Sequence, residues 1–245
     1  MPEFLSSKGE PTGALYGVST MIMKIVEDLK PDYIVACYDL PGKTFRHESY
    51  DAYKAGRQKA DEALVSQLKN SRQIFEAFNI PIYDCPGFEA DDILGTIVEH
   101  LKGENIKIII ASGDMDTMQL VDDKKVQVYT LKKGINDTIL YDEEKVVERF
   151  GFAPKFLPDY KGLRGDPSDN IVGIKGIGEK TASTLIKEFG TIEEIYKEFN
   201  QKDFETKGKI LGLSPRIIEL LKSNEEEAIF SKTLATIRRD APIKF

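Results

Sequence analysis

Short apolar runs alternate with longer amphipathic segments up to about Tyr141. The runs PDYIVACYD, IPIYDC and IKIIIASGD are predicted strands, and KVQVYTL and TILYD are two shorter ones. Apolar side chains recur with helical spacing in TGALYGVSTMIMKIVEDLK, in residues 60–78 and in FEADDILGTIVEHLK. Strands that alternate with helices predict an α/β fold in which a parallel sheet carries helices on both faces.

The strand pattern stops near Tyr141, and the rest of the chain has helical spacing. The predicted helices include EEKVVERFG, KFLPDYKGL, EKTASTLIKEFG and IEEIYKEF, followed by a last pair from about residue 213. The sequence TIEE at Thr191–Glu194 fits a capping box at the start of one of them. We therefore predict an α/β body over residues 1–141 and a helical module over residues 142–245.

The composition is that of an ordinary globular protein. Of the 245 residues, 41% are hydrophobic and 31% are charged. No apolar run is long enough for a membrane span, and the N-terminus lacks a secretion signal, so we expect a cytoplasmic protein. Cys37 and Cys85 lie in apolar neighbourhoods, which favours buried thiols over a disulfide.

The net charge of −7 argues by itself against a nucleic-acid partner, because proteins that bind nucleic acid usually present a basic surface. The distribution of charge matters more than the sum. If many carboxylates gather at one metal site, the net charge misrepresents the surface that meets a partner. Two histidines are too few for a histidine-rich metal site.

Carboxylates lie where two predicted strands end and where one predicted helix begins. Because the carboxyl ends of parallel strands meet at one edge of a sheet, six acids are expected to approach each other there. They are Asp39, Glu89, Asp91, Asp92, Asp114 and Asp116. So many carboxylates cannot all stay ionised unless protons or cations compensate them. Acids at a helix start also suit the helix dipole, and for Asp92 alone this explanation is equally good.

Oxygen ligands suit hard cations, so the sequence predicts Mg²⁺ or Mn²⁺ at this edge. Two such ions would favour in-line attack on a phosphodiester. The motif DMDT, from Asp114 to Thr117, allows another interpretation, because Asp-x-Asp-x-Thr after a strand resembles the haloacid-dehalogenase phosphatases. Here a glycine turn, SG, separates the strand from Asp114, whereas that family usually has the motif near the chain start and has no DNA-binding glycine loop, which makes this a remote alternative.

The segment GDPSDNIVGIKGIGEK combines two acids with a glycine-rich loop. Asp166 suits a helix N-cap, Pro167 the first helical position and Asp169 the third, so a helix start is one expectation. The alternative is that Asp166 and Asp169 project together towards the metal cluster and bind metal as well.

The second half of that segment has the pattern of a helix-hairpin-helix clamp on a DNA backbone. Glycines let the chain turn sharply and expose N–H groups at a helix start, where phosphate binds. Two lysines add positive charge. The predicted DNA contacts are Gly173, Lys175, Gly176, Gly178 and Lys180. Such a clamp contacts phosphate and shape rather than base sequence.

Five motifs in order carry a resemblance to a known family. They are SKGEPTGALYG, TFRHESYDAYKAGR, GFEADDILGT, SGDMDTMQLV and YKGLRGDPSDNIVGIKGIGEKTA. Over almost its whole length the chain resembles the 5′-nuclease (5′–3′ exonuclease) domains of bacterial DNA polymerase I, in the flap endonuclease superfamily. The resemblance implies a PIN-like body, a helical arch and a helix-three-turn-helix module. It also implies Mg²⁺-dependent hydrolysis of DNA at 5′ ends, flaps and nicks in replication and repair, with RNA primers among the strands removed.

The resemblance also implies roles for individual residues. The eight acids named above match the metal-binding acids of the family. Tyr53, Lys54 and Arg57 match its arch, where Tyr53 is a predicted DNA contact and the basic pair contacts the scissile phosphate. Arg46 is a weaker candidate of the same kind as this pair. The glycine hairpin often holds K⁺ in the family. We expect a monomer, with a polymerase domain following in a full-length protein.

Two departures from the family pattern concern the chain ends. Family members begin with an apolar strand that ends in a metal-binding aspartate, whereas PEFLSSKGEPTG follows Met1 directly here. We therefore expect the first strand and its aspartate to be missing. The alternative function is then a nuclease-impaired fragment that binds DNA and cuts it poorly. At the other end, TLATIRRDAPIKF stops where the family usually continues into further helix.

Overall fold

The computed structural model describes residues 4–58, 60–134, 137–199 and 204–245. Its strands are β1 (Ala36–Cys37), β2 (Ile82–Tyr83), β3 (Ile108–Ala111), β4 (Val126–Lys133) and β5 (Asp137–Tyr141). The helices of the α/β body are α1 (Gly13–Leu29), α2 (Phe45–Ser49), α3 (Glu62–Ala77) and α4 (Ala90–His100). The helices that follow are α5 (Glu143–Phe150), α6 (Leu157–Arg164), α7 (Glu179–Phe189), α8 (Ile192–Phe199), α9 (Phe204–Ile210), α10 (Pro215–Ser223) and α11 (Glu225–Ala235).

All five predicted strands form, and four of them pair in parallel. Ala36 of β1 lies opposite Ile82 of β2, and Ile108 of β3 lies opposite Val126 of β4. The fifth strand, β5, instead pairs antiparallel with β4. Only residues 134–136 separate these two strands, which is too short for the crossover that a parallel pair needs. The sheet is therefore mixed, and within the described ranges β1–β2 and β3–β4–β5 are separate ladders.

The predicted helix start at Asp166 is wrong. Asp166 forms an isolated antiparallel bridge with Ile171, and the residues between them form a turn. The Asp166 carboxylate accepts hydrogen bonds from the Ser168 N–H and hydroxyl. Such local side-chain bonds compete with helix formation, which explains why a good N-cap residue begins a turn here. The predicted cap at Thr191 does form, since its hydroxyl oxygen accepts the Glu194 N–H at 3.2 Å.

One hydrophobic cluster extends from the α/β body into the helical module. It contains Ile110 and Met118 from the body and Leu163, Leu185 and Leu221 from the later helices. Cys37 and Cys85 are free thiols. Among the helices in the described ranges, none combines the length and the apolar character that crossing a bilayer requires.

Candidate active site

Five of the predicted acids lie around the N-terminus of α4. Asp39, just after β1, accepts the Ala90 N–H at 2.8 Å, which brings the end of β1 to the start of this helix. Burial raises the pKa of Asp91 to about 7, and the charges of four other acids add to the effect. Those neighbours are Asp114, Asp116, Asp39 and Glu89. We call these five residues the acidic edge.

Asp92, the next residue on α4, lies behind the acidic edge. Its side chain is fully buried, and its two oxygens accept hydrogen bonds from Arg46 at 2.8 Å each. It also accepts the backbone N–H groups of Glu89 and Arg238. Because both oxygens are already engaged inside the protein, this geometry fits a structural ion pair, as the helix-dipole explanation allowed, rather than a metal ligand.

Arg46 is likewise an internal residue. Its side chain is 3% exposed, and besides Asp92 it binds the carbonyl oxygens of Leu234 and Thr236, each at 2.9 Å. It therefore joins α2, α4 and the end of α11. The expected contact of Arg46 with a phosphate does not fit this position. We call Arg46, Asp92, Leu234, Thr236 and Arg238 the Arg46 junction.

Tyr53 does not face solvent either. It is 3% exposed and packs in a cluster with Ile171 and Leu234. Its hydroxyl donates to Asp169 at 3.0 Å and to Glu89 at 3.2 Å, and burial together with the charge of Glu89 raises its pKa. This buried position does not fit a direct DNA contact by Tyr53, because its hydroxyl is bonded to two acids inside the protein.

Lys54 and Arg57 lie beside the same acids. The Lys54 ammonium binds Glu89 at 2.8 Å, and the Lys54 N–H donates to the Asp169 carbonyl at 2.9 Å. Arg57, whose side chain is 53% exposed, binds the Asp169 carboxylate at 2.6 Å. The segment from Tyr53 to Arg57 is thus docked against the acids, rather than being a freely solvated charge run. The contact of Lys54 and Arg57 with a phosphate stays a prediction.

Lys161 connects the acidic edge to the turn at Asp166. Its ammonium contacts Asp116, and it contacts Asp166 at 2.5 Å. Burial alone would raise the pKa of Asp166, but Lys161 and Ser168 outweigh it and leave that pKa lowered. Sequence analysis did not identify Lys161. The available indication was that Lys161 follows Tyr160 and lies close to Leu163 in the helix KFLPDYKGL.

The donor chemistry of this site fits a hard divalent cation, since the clustered side chains offer carboxylate oxygens. Burial and mutual repulsion raise the pKa of Asp91, which is the situation that a bound cation relieves. In the described part of the chain, no three Asp, Glu, His or Cys side chains are arranged at metal-binding distance. Lysine and arginine side chains compensate several of these carboxylates instead.

The glycine-rich turn divides into a buried and an exposed half. Gly173 is buried with φ +60°, and a Cβ there would lie 2.1 Å from the Gly165 nitrogen. Its N–H donates to the Ser231 hydroxyl at 3.0 Å. The predicted DNA contact of Gly173 therefore does not fit, because its N–H is used inside the protein and its missing side chain allows two backbone segments to touch.

The other predicted contacts in this turn are exposed. Gly176, Gly178 and the lysines Lys175 and Lys180 all face solvent, while Ile174 and Ile177 anchor the turn in the core. Gly178 precedes α7, and no side chain caps this N-terminus. The start of α7 is therefore exposed and uncapped, with Lys175 and Lys180 close to it in the sequence, which is an arrangement suited to phosphate.

Comparison with protein families matches the whole chain in two parts. Residues 1–151 match the N-terminal resolvase-like domain of 5′–3′ exonucleases, and residues 152–245 match the C-terminal SAM fold of the same enzymes. The haloacid-dehalogenase interpretation of the DMDT motif has no support in these matches.

Similar proteins of known function are DNA polymerases I. The chain is 40% identical to that of Caldicellulosiruptor bescii over 245 residues, which is 99% of this chain and 27% of that protein. It is 38% identical to that of Bacillus subtilis over 244 residues, which is 100% of this chain and 26% of that protein. The chain thus spans about a quarter of the length of these relatives.

Solved structures share the fold at low sequence identity. The 5′-exonuclease of T5 with bound zinc superposes with a TM-score of 0.73 at 22% identity, covering 94% of this chain and 82% of that one. The T5 flap endonuclease in a pseudo-enzyme-product complex with DNA and metal ions gives 0.72 at 23% identity, covering 92% and 81%. With the two family matches that together extend over its full length, the chain belongs to the 5′–3′ exonuclease family.

Proposed function

We propose that this chain is a structure-specific 5′–3′ exonuclease and flap endonuclease that hydrolyses DNA phosphodiesters with two divalent cations. The observation that carries the proposal is the acidic edge, where burial and four neighbouring acids raise the pKa of Asp91 to about 7. Raised acid pKa values beside basic groups are typical of functional sites. Related DNA polymerases I and the T5 enzymes support the choice of DNA as substrate.

Asp39, Asp91 and Asp114 are the first candidates to hold the cations, because the structure describes no ion pair for any of them in the residues it covers. Glu89, Asp116, Asp166 and Asp169 are the second group, and each is bound by a lysine or arginine. Bound Mg²⁺ or Mn²⁺ would activate water and stabilise charge on the phosphate.

Lys54 and Arg57 are placed to stabilise the phosphate directly. Both lie at the acidic edge on one short segment, and Arg57 is half exposed. When a phosphate enters, the Lys54 and Arg57 cations can exchange their contacts with Glu89 and Asp169 for contacts with the phosphate oxygens. Negative charge develops on those oxygens during cleavage. The carboxylates released by this shift then become available to a cation.

The exposed half of the glycine turn would hold the same DNA strand further along. The uncapped start of α7 offers N–H groups, and Lys175 and Lys180 offer charge. Because Asp169 and Gly176 are only seven residues apart, one rigid turn would fix the distance between the phosphate contacts of the glycine turn and the site of cleavage. A K⁺ ion at this hairpin stays a prediction.

We also propose that the division between body and helical module lies at residues 141–142, between the end of β5 and the start of α5, which is ten residues before the point where the two family matches meet. The partners that fit this arrangement are DNA 5′ ends, flaps and nicks, and the strand removed can include an RNA primer. A polymerase domain in a longer protein fits the length of the relatives, and a monomer is sufficient for every contact proposed above.

The test uses a 5′-flap DNA labelled on the flap. The parent chain is expected to cut it in Mg²⁺ and not in EDTA. Asp114→Ala should lower the cleavage rate by more than about 100-fold, because even residues outside the first coordination shell of a metal contribute 10- to 100-fold. Asp137→Ala, an exposed acid at the start of β5, should leave the rate unchanged.

Binding of the same DNA, measured by anisotropy in EDTA, separates the outcomes. Asp114→Ala should bind like the parent. If the parent binds the flap and does not cut it in Mg²⁺ or Mn²⁺, the chain is the nuclease-impaired DNA-binding protein that the sequence left as an alternative. If Asp114→Ala loses binding and cleavage together, Asp114 supports the fold rather than the reaction.

A further inference from the structure

Lys161 is placed differently from the other basic residues near the acidic edge. It lies on α6 between the buried residues Tyr160 and Leu163, and its side chain is only 12% exposed. Its ammonium contacts Asp116 of the α/β body and Asp166 of the turn after α6. A single, partly buried cation therefore joins two acids that come from separate parts of the chain.

This ammonium occupies the space that a divalent ion bound to the same two acids would need. The Lys161 ammonium forms ion pairs with both carboxylates, and its side chain is only 12% exposed. A carboxylate oxygen that accepts from an ammonium has to release it before it can coordinate a metal ion directly.

We propose that Lys161 is an internal cation that competes with a divalent ion for Asp116 and Asp166, and so limits how tightly this end of the acidic edge holds metal. The inference rests on the proposed function, in which these acids bind divalent cations. Asp39, Asp91 and Asp114 have no such lysine in the described part of the chain. The two ends of the site then differ in affinity, and metal at the Lys161 end exchanges more readily.

The physical argument compares the site with and without the lysine charge. With Lys161 present, an incoming divalent ion meets a positive charge within a few ångströms and must displace it. Without that charge, Asp116 and Asp166 repel each other and their acidic neighbours, so the divalent ion becomes the only available compensation. Removing the charge should therefore strengthen metal binding, whereas a purely structural lysine would weaken it or leave it unchanged.

The experiment titrates Mn²⁺ into the metal-free chain and follows free Mn²⁺ by electron paramagnetic resonance. Lys161→Met should bind its weaker Mn²⁺ ion about 10-fold more tightly than the parent, a typical size for coupling between two ligands. Lys161→Arg, which keeps the charge, should bind like the parent. The expected change in thermal unfolding is a lower midpoint for Lys161→Met in EDTA and a larger rise on adding Mn²⁺ than the parent shows.

Lys232→Met is the matched control. Lys232 also bridges two acids, Asp159 and Glu193, each at 2.7 Å, but these lie outside the acidic edge. Its replacement should lower the unfolding midpoint without changing the affinity for Mn²⁺. A change in Mn²⁺ affinity that is equal for the two variants would overturn the proposal, since it would reflect general loosening of the fold.

Other outcomes are equally decisive. A cooperatively folded Lys161→Met chain that binds Mn²⁺ no more tightly than the parent overturns the role assigned to Lys161. If neither chain binds Mn²⁺, the metal site of the proposed function is wrong, which is a different result from equal binding by both. Lys161→Gln, which is neutral and polar, provides the same comparison if the methionine variant does not fold.

Discussion

Asp91 and Asp92 are neighbours on the first turn of α4, yet they belong to two regions of opposite character. Asp92 lies in the Arg46 junction, where a guanidinium and two backbone N–H groups match its charge. Asp91 lies in the acidic edge, where burial and four like charges raise its pKa. The same side chain thus stabilises the fold in one position and carries unrelieved charge, available for a cation, in the next.

The difference follows from where the partners come from. The junction takes its cation from α2 and its other groups from the end of α11 and the residues after it, so three distant parts of the chain meet at Asp92. The edge collects acids from the ends of β1 and β3 and the start of α4, where only some receive a lysine or arginine. The junction therefore matches its buried charges within the protein, whereas Asp39, Asp91 and Asp114 of the edge have no ion pair in the described residues.

Breaking the junction should have the largest effect on stability. Arg46→Met leaves Asp92 buried without its cation, and loss of one partner of a buried ion pair typically lowers the free energy of unfolding by about 3–5 kcal/mol. Arg239→Met is the matched control, because Arg239 pairs with Glu99 at 3.4 Å and both side chains are more than a third exposed. It should change stability by less than about 1 kcal/mol.

Urea denaturation of the two variants provides the measurement. If Arg46→Met and Arg239→Met lose equal stability, the Arg46 junction is not a special source of stability, and the distinction between it and the acidic edge is wrong. If Arg46→Met instead abolishes Mg²⁺-dependent cleavage with little loss of stability, Arg46 acts on the substrate, as the family resemblance suggested.

The glycine turn also has a buried half and an exposed half, and Gly173→Ala tests the buried half. A Cβ at Gly173 would lie 2.1 Å from the Gly165 nitrogen, and φ of +60° is strained for alanine. Backbone strain and overpacking each cost about 1–3 kcal/mol, so a loss of about 2–4 kcal/mol is expected. At Gly178 a Cβ meets nothing within 4 Å, and Gly178→Ala should be nearly neutral in the same urea titration. Equal losses would show that both glycines are packed inside.

Sequence patterns predicted the strands and helices well and the side-chain contacts between distant residues poorly. Hydrophobic periodicity located the strands and helices, and the acids after β1 and β3 were correctly expected to meet near α4. Tyr53 and Arg46, however, were expected to contact the DNA. Their burial depends on Asp92, Asp169 and Leu234, which lie about 40 to 190 positions away in the sequence. Local composition cannot show a contact of that kind.

The turn at Asp166 shows a second limit. Its residues suit a helix start, and the same aspartate suits a turn closed by its own side chain. The choice is made by Lys161 and by the close approach of Gly165 and Gly173, both of which need the folded chain. The glycines were recognised as important, but periodicity could not separate the buried Gly173 from the exposed Gly176 and Gly178.

Removing charge from the acidic edge should raise stability, opposite to the effect at the junction. The pKa of Asp91 rises from an ordinary 3.8 to about 7 in the folded chain. Between these values the unfolded chain releases a proton that the folded chain keeps, so stability falls as pH rises from about 4 to about 7 and stays lower above it. In EDTA at pH 8, Asp91→Asn should therefore be more stable than the parent by about 1–2 kcal/mol, allowing for solvent screening.

Urea titrations in EDTA at several pH values measure this difference. The gain should vanish near pH 4, where Asp91 is protonated in both states of the parent. Added Mg²⁺ should narrow the gap at pH 8, because it stabilises the parent and has less to bind in the variant. An Asp91→Asn chain that is less stable than the parent at pH 8 would place Asp91 with Asp92 among the structural residues.

The smallest expected change concerns the open half of the glycine turn. Lys180→Met removes an exposed charge at the uncapped start of α7, so the free energy of unfolding should stay within about 0.5 kcal/mol of the parent. If Lys180 contacts a phosphate, DNA affinity falls for every sequence alike, and the slope of log affinity against log salt becomes shallower by about 1.

Anisotropy with a flap DNA in EDTA over a range of salt concentrations measures both quantities. Lys102→Met, at the far end of α4 from the acidic edge, is the control and should leave the slope unchanged. If the two variants give the same slope, the exposed half of the glycine turn does not contact phosphate, and only the acidic edge remains as a candidate binding surface.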